Sequence, residues 1–213
     1  MTVAEFEKSE LSVLLDIRQP QAYLALHPAA ALAAECGVEI NLLPISASPL
    51  KAPSEPRSGD DRGVRHHRYR ADAIAREIET YAEVQGLVIK GYYRDVDPSL
   101  LNLAWLWLRE QHPDRLFGFL VEAFRAYWAV ELDVSSDQGV DSLLAGSDVE
   151  TADFHAWRAE TGPSRAASLA AELRERSLSR APCYVVGDEV FVGRQHLPMI
   201  RWLLQGRSGR GPI

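Results

Sequence analysis

Cysteine is scarce in this 213-residue chain, and its distribution argues against one kind of chemistry. The two cysteines, Cys36 and Cys183, lie far apart in the sequence and form no Cys-x-x-Cys pair. Catalysis of thiol–disulfide exchange by a dithiol needs two neighbouring thiols. The sequence therefore predicts two free, buried thiols and argues against a dithiol oxidoreductase.

Long apolar runs and an excess of basic residues are also missing. The longest strongly apolar run, residues 100–108, is about half as long as a bilayer-spanning helix. The formal net charge is −7 with both signs interspersed, so no basic surface for nucleic acid is indicated. The acidic amino-terminal stretch MTVAEFEKSE lacks the order of a secretory signal. We expect a cytoplasmic protein with no membrane span and no nucleic-acid partner.

A metal site is not indicated either. His66 and His67 are adjacent and lie in a segment, residues 45–68, that is dense in Ser, Pro, Gly and charge. Adjacent side chains in a polar loop rarely converge on one ion, and no cysteine or acid lies nearby at ligand spacing. We interpret the segment as a mobile loop with almost nothing to bury, and the two histidines as solvated.

The chain begins with the pattern of a strand, a helix and a second strand. Residues 11–17 form a short apolar run typical of a buried strand. Residues 20–36 are rich in Ala and Leu and precede Gly37, where a helix can end, and Pro28 is expected to kink this helix. Residues 38–44 form a second apolar run. A strand, helix, strand unit favours parallel pairing of its two strands.

A block of helices is predicted for the middle of the chain. Apolar residues recur at helical spacing before Gly86, and two more helices are expected on either side of Pro113. Ser135 and Ser147 each precede an acid or amide at the spacing of a reciprocal cap, so two shorter helices are expected there. One further helix is expected to run to about residue 177.

Strand patterns return near the carboxyl terminus. Residues 183–186 and 189–192 flank Gly187-Asp188, a dipeptide suited to a tight hairpin. An amphipathic helix follows, and residues 206–213 have no apolar pattern and are expected to fray.

Several local sequences resemble those of the DsbA-like family. The stretch LLDIRQPQAYLA, residues 14–25, is similar to the Asp-x-x-Ser-Pro-x-x-Tyr-Leu-Ala pattern of one branch. That branch contains the 2-hydroxychromene-2-carboxylate isomerases and the kappa-class glutathione transferases. Residues 68–87 and 181–197 resemble later segments of the same family, the second of them its terminal hairpin.

The resemblance implies an α/β protein with a thioredoxin-like fold and a large all-helical insertion. Residues 1–45 and 178–205 would form the two halves of the thioredoxin-like domain. Residues 46–177 would form the loop and the helical insertion, including the helix that returns to the core, and residues 206–213 a flexible tail. Family members often form homodimers through the insertion or the terminal elements, so a homodimer is one assembly to test.

The resemblance also implies a glutathione site at the start of the first helix. The bond between Ala181 and Pro182 would be cis, and the main chain of Ala181 would pair with the cysteinyl unit of glutathione. The sulfur would lie at the amino end of the helix, where the family has a serine and this chain has Gln19. An amide can donate a hydrogen bond to a sulfur anion but cannot ionise or act as nucleophile or base. We expect Gln19 either to orient the sulfur or merely to cap the helix.

Two further positions depart from the family pattern. The family's basic residue before a proline at the end of the second strand is Leu43 here, so a charge for an anionic substrate is missing. The Asp-Arg pair that commonly meets the glutamyl end of glutathione is replaced by Gln195 and His196. These two could hydrogen-bond a carboxylate, or they could simply be the solvated start of a helix.

The aromatic residues of the predicted insertion are the one hint of substrate class. Most should be core, but a few could line a pocket for a flat aromatic substrate. The set comprises Trp105, Trp107, Phe117, Phe119, Phe124, Tyr127 and Trp128.

Three functions remain open from the sequence. The first is a glutathione-dependent isomerase or transferase that acts on a hydrophobic or aromatic small molecule, with the nucleophilic chemistry left to glutathione. The second is a catalytically degenerate thioredoxin-like binding module that has lost the active-site Ser or Cys. The third, a dithiol oxidoreductase, is disfavoured by the spacing of the cysteines.

Overall fold

The structure, a computed structural model, describes residues 6, 9–57, 59 and 61–212. The expectation for the first ten residues therefore falls largely outside it. The strands within these residues are β1 (Leu11–Leu15), β2 (Ile40–Pro44), β3 (Cys183–Val186) and β4 (Glu189–Val192). The α-helices are α1 (Pro20–Cys36), α2 (Arg62–Gln85), α3 (Ser99–Gln111), α4 (Pro113–Ala129), α5 (Asp137–Ala145), α6 (Thr151–Glu160), α7 (Gly162–Glu175) and α8 (Leu197–Leu204). None of them is both long and apolar enough to cross a membrane.

The strands form one mixed sheet in the order β2-β1-β3-β4. β1 runs parallel to β2 and antiparallel to β3, and β3 and β4 form the hairpin that the sequence predicted. Successive side chains of a strand point to opposite faces, and the core divides accordingly. Val13 and Leu15 belong to the part of the core that includes α1, whereas Leu14 belongs to the part that includes α7. The carboxyl ends of β1 and β2 meet at one edge, where α1 begins.

Helix α3 covers the outer edge of the sheet, which β2 forms. The indole nitrogen of Trp105 donates a hydrogen bond to the main-chain oxygen of Leu42 at 3.0 Å. One turn on, Nε of Arg109 donates to the side-chain oxygen of Asn41 at 2.7 Å. An unpaired edge strand can form hydrogen bonds with a strand of another chain. Here the side chains of α3 form hydrogen bonds with the edge strand β2 instead.

Pro28 lies in the middle of α1, which nevertheless continues unbroken to Cys36. A proline has no N–H, so the main-chain oxygen of Leu24, four residues earlier, lacks its helical donor. Nε2 of Gln85, the last residue of α2, donates to that oxygen at 3.2 Å. Because Leu24 is fully buried, this side chain supplies a hydrogen bond that water does not.

The structure corrects one prediction about a loop. Residues 62–68, expected as part of a mobile loop, are the first turns of α2. This helix begins after Asp61, whose side chain accepts from the main-chain nitrogen of Val64. His66 and His67 are therefore helical, although both are exposed as expected. In the tail, Nε1 of Trp202 donates to the main-chain oxygen of Gly209 at 3.2 Å, and the flexibility of residues 206–213 stays a prediction.

Neither of the two serines predicted to cap a helix does so. Ser136, not Ser135, caps α5, because Ser135 is hydrogen-bonded to Asp133. Ser147 does not cap α6, which begins after Glu150 without a side-chain cap. The reciprocal-cap spacing located both helices to within a few residues but identified neither cap.

We predict that Gln85→Ala lowers the free energy of unfolding by about 1–2 kcal/mol, because it leaves the buried oxygen of Leu24 without a donor. Pro28→Ala restores the main-chain N–H that donates to Leu24. In the Pro28→Ala background, Gln85→Ala should therefore lower the free energy of unfolding much less. Urea denaturation of the two single variants and the double variant measures this coupling. Gln111→Ala, at the end of α3 and exposed, is the matched control and should change stability by less than about 0.5 kcal/mol. An equal cost of Gln85→Ala in both backgrounds would show that the hydrogen bond is unimportant.

Candidate functional site

A buried ion pair organises the junction between β1 and α1. Asp16 is fully buried, and its carboxylate accepts from the main-chain nitrogen, Nε and a terminal nitrogen of Arg18 at 2.9–3.1 Å. The same carboxylate accepts from the main-chain nitrogen of Ala47 at 2.7 Å, and Arg18 donates to the oxygen of Ala47 at 2.7 Å. The hydrogen bond to Asp16 raises the pKa of the Arg18 guanidinium. The pair thus fixes the segment after β2 against the start of α1.

Gln19 is the residue before the first turn of α1 and is buried. It occupies the cap position of the helix, where its main-chain oxygen accepts from Ala22 at 2.9 Å, but its side chain makes no cap hydrogen bond. Instead, Nε2 donates to the main-chain oxygen of Ser48 at 2.9 Å. The first N–H groups of α1 consequently have no partner from this side chain, and they give this end of the helix its partial positive charge.

The Ala181–Pro182 peptide bond is cis. Cys183 pairs with Leu14 across the antiparallel ladder, so Pro182 lies at the carboxyl end of β1, the end at which Gln19 is found. Outside the helices and strands, no hydrogen bond joins the N–H or C=O of Ala181 to another described residue. Both main-chain groups are therefore available to an extended ligand.

Gln195 is tied to Pro182 through Gly193. The main-chain nitrogen of Gly193 donates to the oxygen of Pro182 at 2.9 Å, and Nε2 of Gln195 donates to the oxygen of Val192 at 3.0 Å. Gly193 has φ +99°, and a Cβ there would lie 2.2 Å from the side-chain oxygen of Gln195. Only glycine allows this close approach. The structure thus brings Gln195 to the cis-proline loop.

A cavity of about 380 Å³ opens beside these residues and contains a charge that the sequence analysis missed. It is lined by Gln195 together with Gln21 in the first turn of α1, Arg194 and Arg201. The guanidinium of Arg194 lies over the ring of Tyr81 on α2 and 3.6 Å from the carboxylate of Glu77, which also lines the cavity. Arg194 directly precedes Gln195 and His196, so the cation lies two positions before His196, the place at which the family pattern expects it.

His196 does not line this cavity. Its ring packs against Phe191, with ring centroids 5.6 Å apart. The predicted contact of His196 with a ligand carboxylate stays a prediction.

The two thiols lie in different parts of the fold, and both are free. Cys36 is the last residue of α1, about 25 Å along the helix from its amino end. It is only partly buried, which corrects the expectation of two buried thiols, because the end of α1 reaches the surface. Cys183, the first residue of β3, is buried, and burial raises its pKa to about 11. The amino end of α1 therefore has no thiol pair.

The aromatic residues predicted from the insertion are mostly core. All of the seven except Phe117 are buried, among them Trp105 and Trp128. A different aromatic pair, Tyr92 and Tyr93, lines an apolar cavity of about 300 Å³ against α2, near Leu50. These tyrosines lie in a short loop without helical periodicity, so the pattern that selected the others did not include them.

Comparison with known proteins yields structural relatives only. No family model matches the sequence, and no curated protein sequence matches it. The structure of a 2-hydroxychromene-2-carboxylate isomerase is similar with a TM-score of 0.70 and 16% identity, over 92% of this chain and 94% of that chain. A probable DsbA oxidoreductase from Streptomyces coelicolor is similar with a TM-score of 0.67 and 20% identity, over 96% and 92% of the two chains.

The cytosolic disulfide reductase DsbM from Pseudomonas aeruginosa, in a structure with GSH, is similar with a TM-score of 0.60 and 15% identity. The likeness covers 92% of this chain and 98% of that chain. These similarities show that the chain has the DsbA-like thioredoxin fold with a helical insertion, which confirms the fold predicted from the sequence. At such low identity they show the fold alone.

We predict that Cys183 reacts slowly with a thiol reagent in the folded protein. With a pKa of about 11, roughly one thousandth of this thiol is ionised at pH 8, against about a quarter of an unperturbed thiol. In Cys36→Ser, labelling with Ellman's reagent should be slow in buffer, should speed up about tenfold when the pH rises from 8 to 9, and should become rapid in urea. Cys183→Ser, which retains Cys36, is the matched control. Rapid labelling of Cys183 in buffer would contradict the assigned burial.

Proposed function

We propose that the protein binds glutathione at the amino end of α1 and acts as a glutathione-dependent isomerase or transferase on a small hydrophobic molecule. The observation that carries this proposal is the position of Gln19 and the cis Ala181–Pro182 bond at the same end of the sheet, without a thiol pair. A protein with this arrangement has a place for a sulfur anion but no nucleophile of its own there. The reactive sulfur would come from the cofactor.

The described contacts suggest how glutathione would lie. The free main-chain groups of Ala181 would form hydrogen bonds with the cysteinyl unit of glutathione, as an added strand does with the edge of a sheet. The cavity beside Gln195 contains Arg194, whose guanidinium would turn from its 3.6 Å ion pair with Glu77 to form charge-assisted hydrogen bonds with a carboxylate of the glutamyl end. The sulfur would then be directed toward the first turn of α1, where the helix dipole lowers a thiol pKa.

The chemistry assigned to the protein is positioning and electrostatic stabilisation. When bound, glutathione would supply the nucleophilic sulfur, which is released again in an isomerisation and which, in a transfer, replaces a leaving group such as chloride that departs as its anion. Gln19 would orient the sulfur, and the apolar cavity lined by Tyr92 and Tyr93 would accept the hydrophobic substrate.

A second function, a non-catalytic binding module, is favoured by one specific observation. Nε2 of Gln19 already donates to the main-chain oxygen of Ser48, so this amide has one donor fewer for a sulfur. A protein that kept the fold and the ligand groove but lost the reactive hydroxyl would look the same at this position. Activity therefore separates the two functions, whereas glutathione binding is compatible with both.

We predict that glutathione binds at millimolar or lower concentration and that Arg194→Gln weakens binding about tenfold, because it removes a charge-assisted hydrogen bond to the glutamyl end. Isothermal titration calorimetry of the full chain measures both affinities. Arg210→Gln, which changes an exposed arginine outside the cavity, is the control and should leave the affinity unchanged. The absence of heat at millimolar glutathione would count against the proposed cofactor.

We predict that Gln19→Ala lowers the rate at which glutathione is conjugated to a chlorodinitrobenzene by about tenfold, because one oriented donor is lost. Gln19→Ser, which restores a hydroxyl at the helix end, should equal or exceed the parent. Ser48 supplies only its main-chain oxygen to Gln19, so Ser48→Ala is the control and should keep the parent rate. Equal rates in the parent and Gln19→Ala would show that Gln19 is not the operative residue. No rate in the parent, combined with activity in Gln19→Ser, would support the binding module.

A further inference from the structure

A third cavity, of about 560 Å³, lies between α3 and α7. Its floor belongs to the part of the core that packs on Leu14 and Leu43, the face of the sheet opposite to the one that α1 covers. The interior of this cavity therefore lies on the other face of the sheet from α1, whereas its rim at Ser46 is two residues from Ser48, which contacts Gln19.

The interior of the cavity is apolar. Its walls come from the segment after β2, from α3 and from α7, and their deeper residues are buried members of one cluster, namely Ile45, Leu106, Leu169, Leu173 and Leu178. A concave site with a volume of several hundred Å³ and an apolar lining is typical of a small-molecule site. An apolar part of a ligand would be removed from water here at a gain proportional to its area.

The polar groups lie at the mouth. Among the described residues, Arg174 is the only charged one that lines the cavity. It is exposed, and it forms no ion pair with any residue in the described part of the chain. Asn102 and Ser46, on the opposite wall, are hydrogen-bonded to each other at 3.3 Å, so they form a neutral hydrogen-bonding rim. The mouth thus has one unopposed positive charge above an apolar interior.

We propose that this cavity binds an apolar monocarboxylate, such as a medium-chain fatty acid. The hydrocarbon part lies between α3 and α7, and the carboxylate is bound by Arg174. A cationic amphiphile would meet like charge at the mouth, and a neutral one would leave Arg174 without a partner. The charge of the mouth therefore selects an acid among apolar ligands.

Decanoate is a suitable probe for the full chain. We expect saturable one-to-one binding by calorimetry, with amide shifts in the ¹H–¹⁵N spectrum confined to α3, α7 and the residues after β2. Ala170 lines the cavity, so Ala170→Trp should abolish binding by filling the space. Ala171→Trp is the matched control, because Ala171 is exposed on the same helix and does not line the cavity. It should bind as the parent does.

The charge is tested separately from the cavity. Arg174→Gln should weaken decanoate binding about fivefold, as expected for a single exposed ion pair, and should leave the binding of decanol unchanged. Arg174→Lys should retain most of the preference for the acid. An equal loss for decanoate and decanol in Arg174→Gln would overturn the assignment of the carboxylate to this residue.

Three other results would overturn the proposal. The first is that decanoate shows no saturable binding below its micellar concentration. The second is that Ala170→Trp binds decanoate as the parent does. The third is that the amide shifts are centred on α1 instead of α3 and α7. If Ala170→Trp does not fold, Ala166→Phe fills the cavity from one turn earlier on the same helix. The proposed decanoate site and the proposed glutathione site use different residues, and decanoate binding is measured without glutathione, so the two proposals fail independently.

Discussion

The carboxylate of Asp16 is the interaction on which the arrangement of the candidate site depends. It is fully buried and has hydrogen bonds from Arg18 and from the main chain of Ala47. A buried charge is tolerated only when it is paired and its lone pairs are satisfied, and here both conditions are met by groups that themselves border the site. Three parts of the chain meet at this one group: the end of β1, the turn into α1 and the segment after β2.

The contacts of Gln19 follow from that constraint. Because Arg18 and Asp16 fix Ala47, the next residue, Ser48, presents its main-chain oxygen to the Gln19 amide. The side chain therefore does not cap the helix, and only the main-chain oxygen of Gln19 accepts from N–H groups in the first turn of α1. This helix end retains the electrostatics that suit an anion although it lacks an ionisable nucleophile. Under the proposed function, the reactive group would therefore come from the bound molecule.

Much of the fold could be predicted because its signals are local. The limits of α1 follow from Pro20 and Gly37, and the terminal hairpin follows from Gly187-Asp188 between two apolar runs. The start of α2 could not be predicted, because residues 62–68 have no apolar period and depend on a single cap at Asp61. Helix formation there rests on hydrogen bonds that composition does not reveal. The site was less predictable still, since Gln19 and Ser48 are 29 residues apart and no local pattern relates an amide to a main-chain oxygen that far away.

Helix α2 makes few buried contacts with the rest of the molecule. Only Ile78 and Ala82 of its 24 residues are buried, Gln85 adds one hydrogen bond to α1, and Glu77 and Tyr81 contact Arg194. Such an element has a low free energy of local opening compared with helices that are packed on several sides. Since α2 borders both the Arg194 cavity and the cavity with the paired tyrosines, its detachment would expose the two together. Entry and exit of ligands would then require no rearrangement of the sheet.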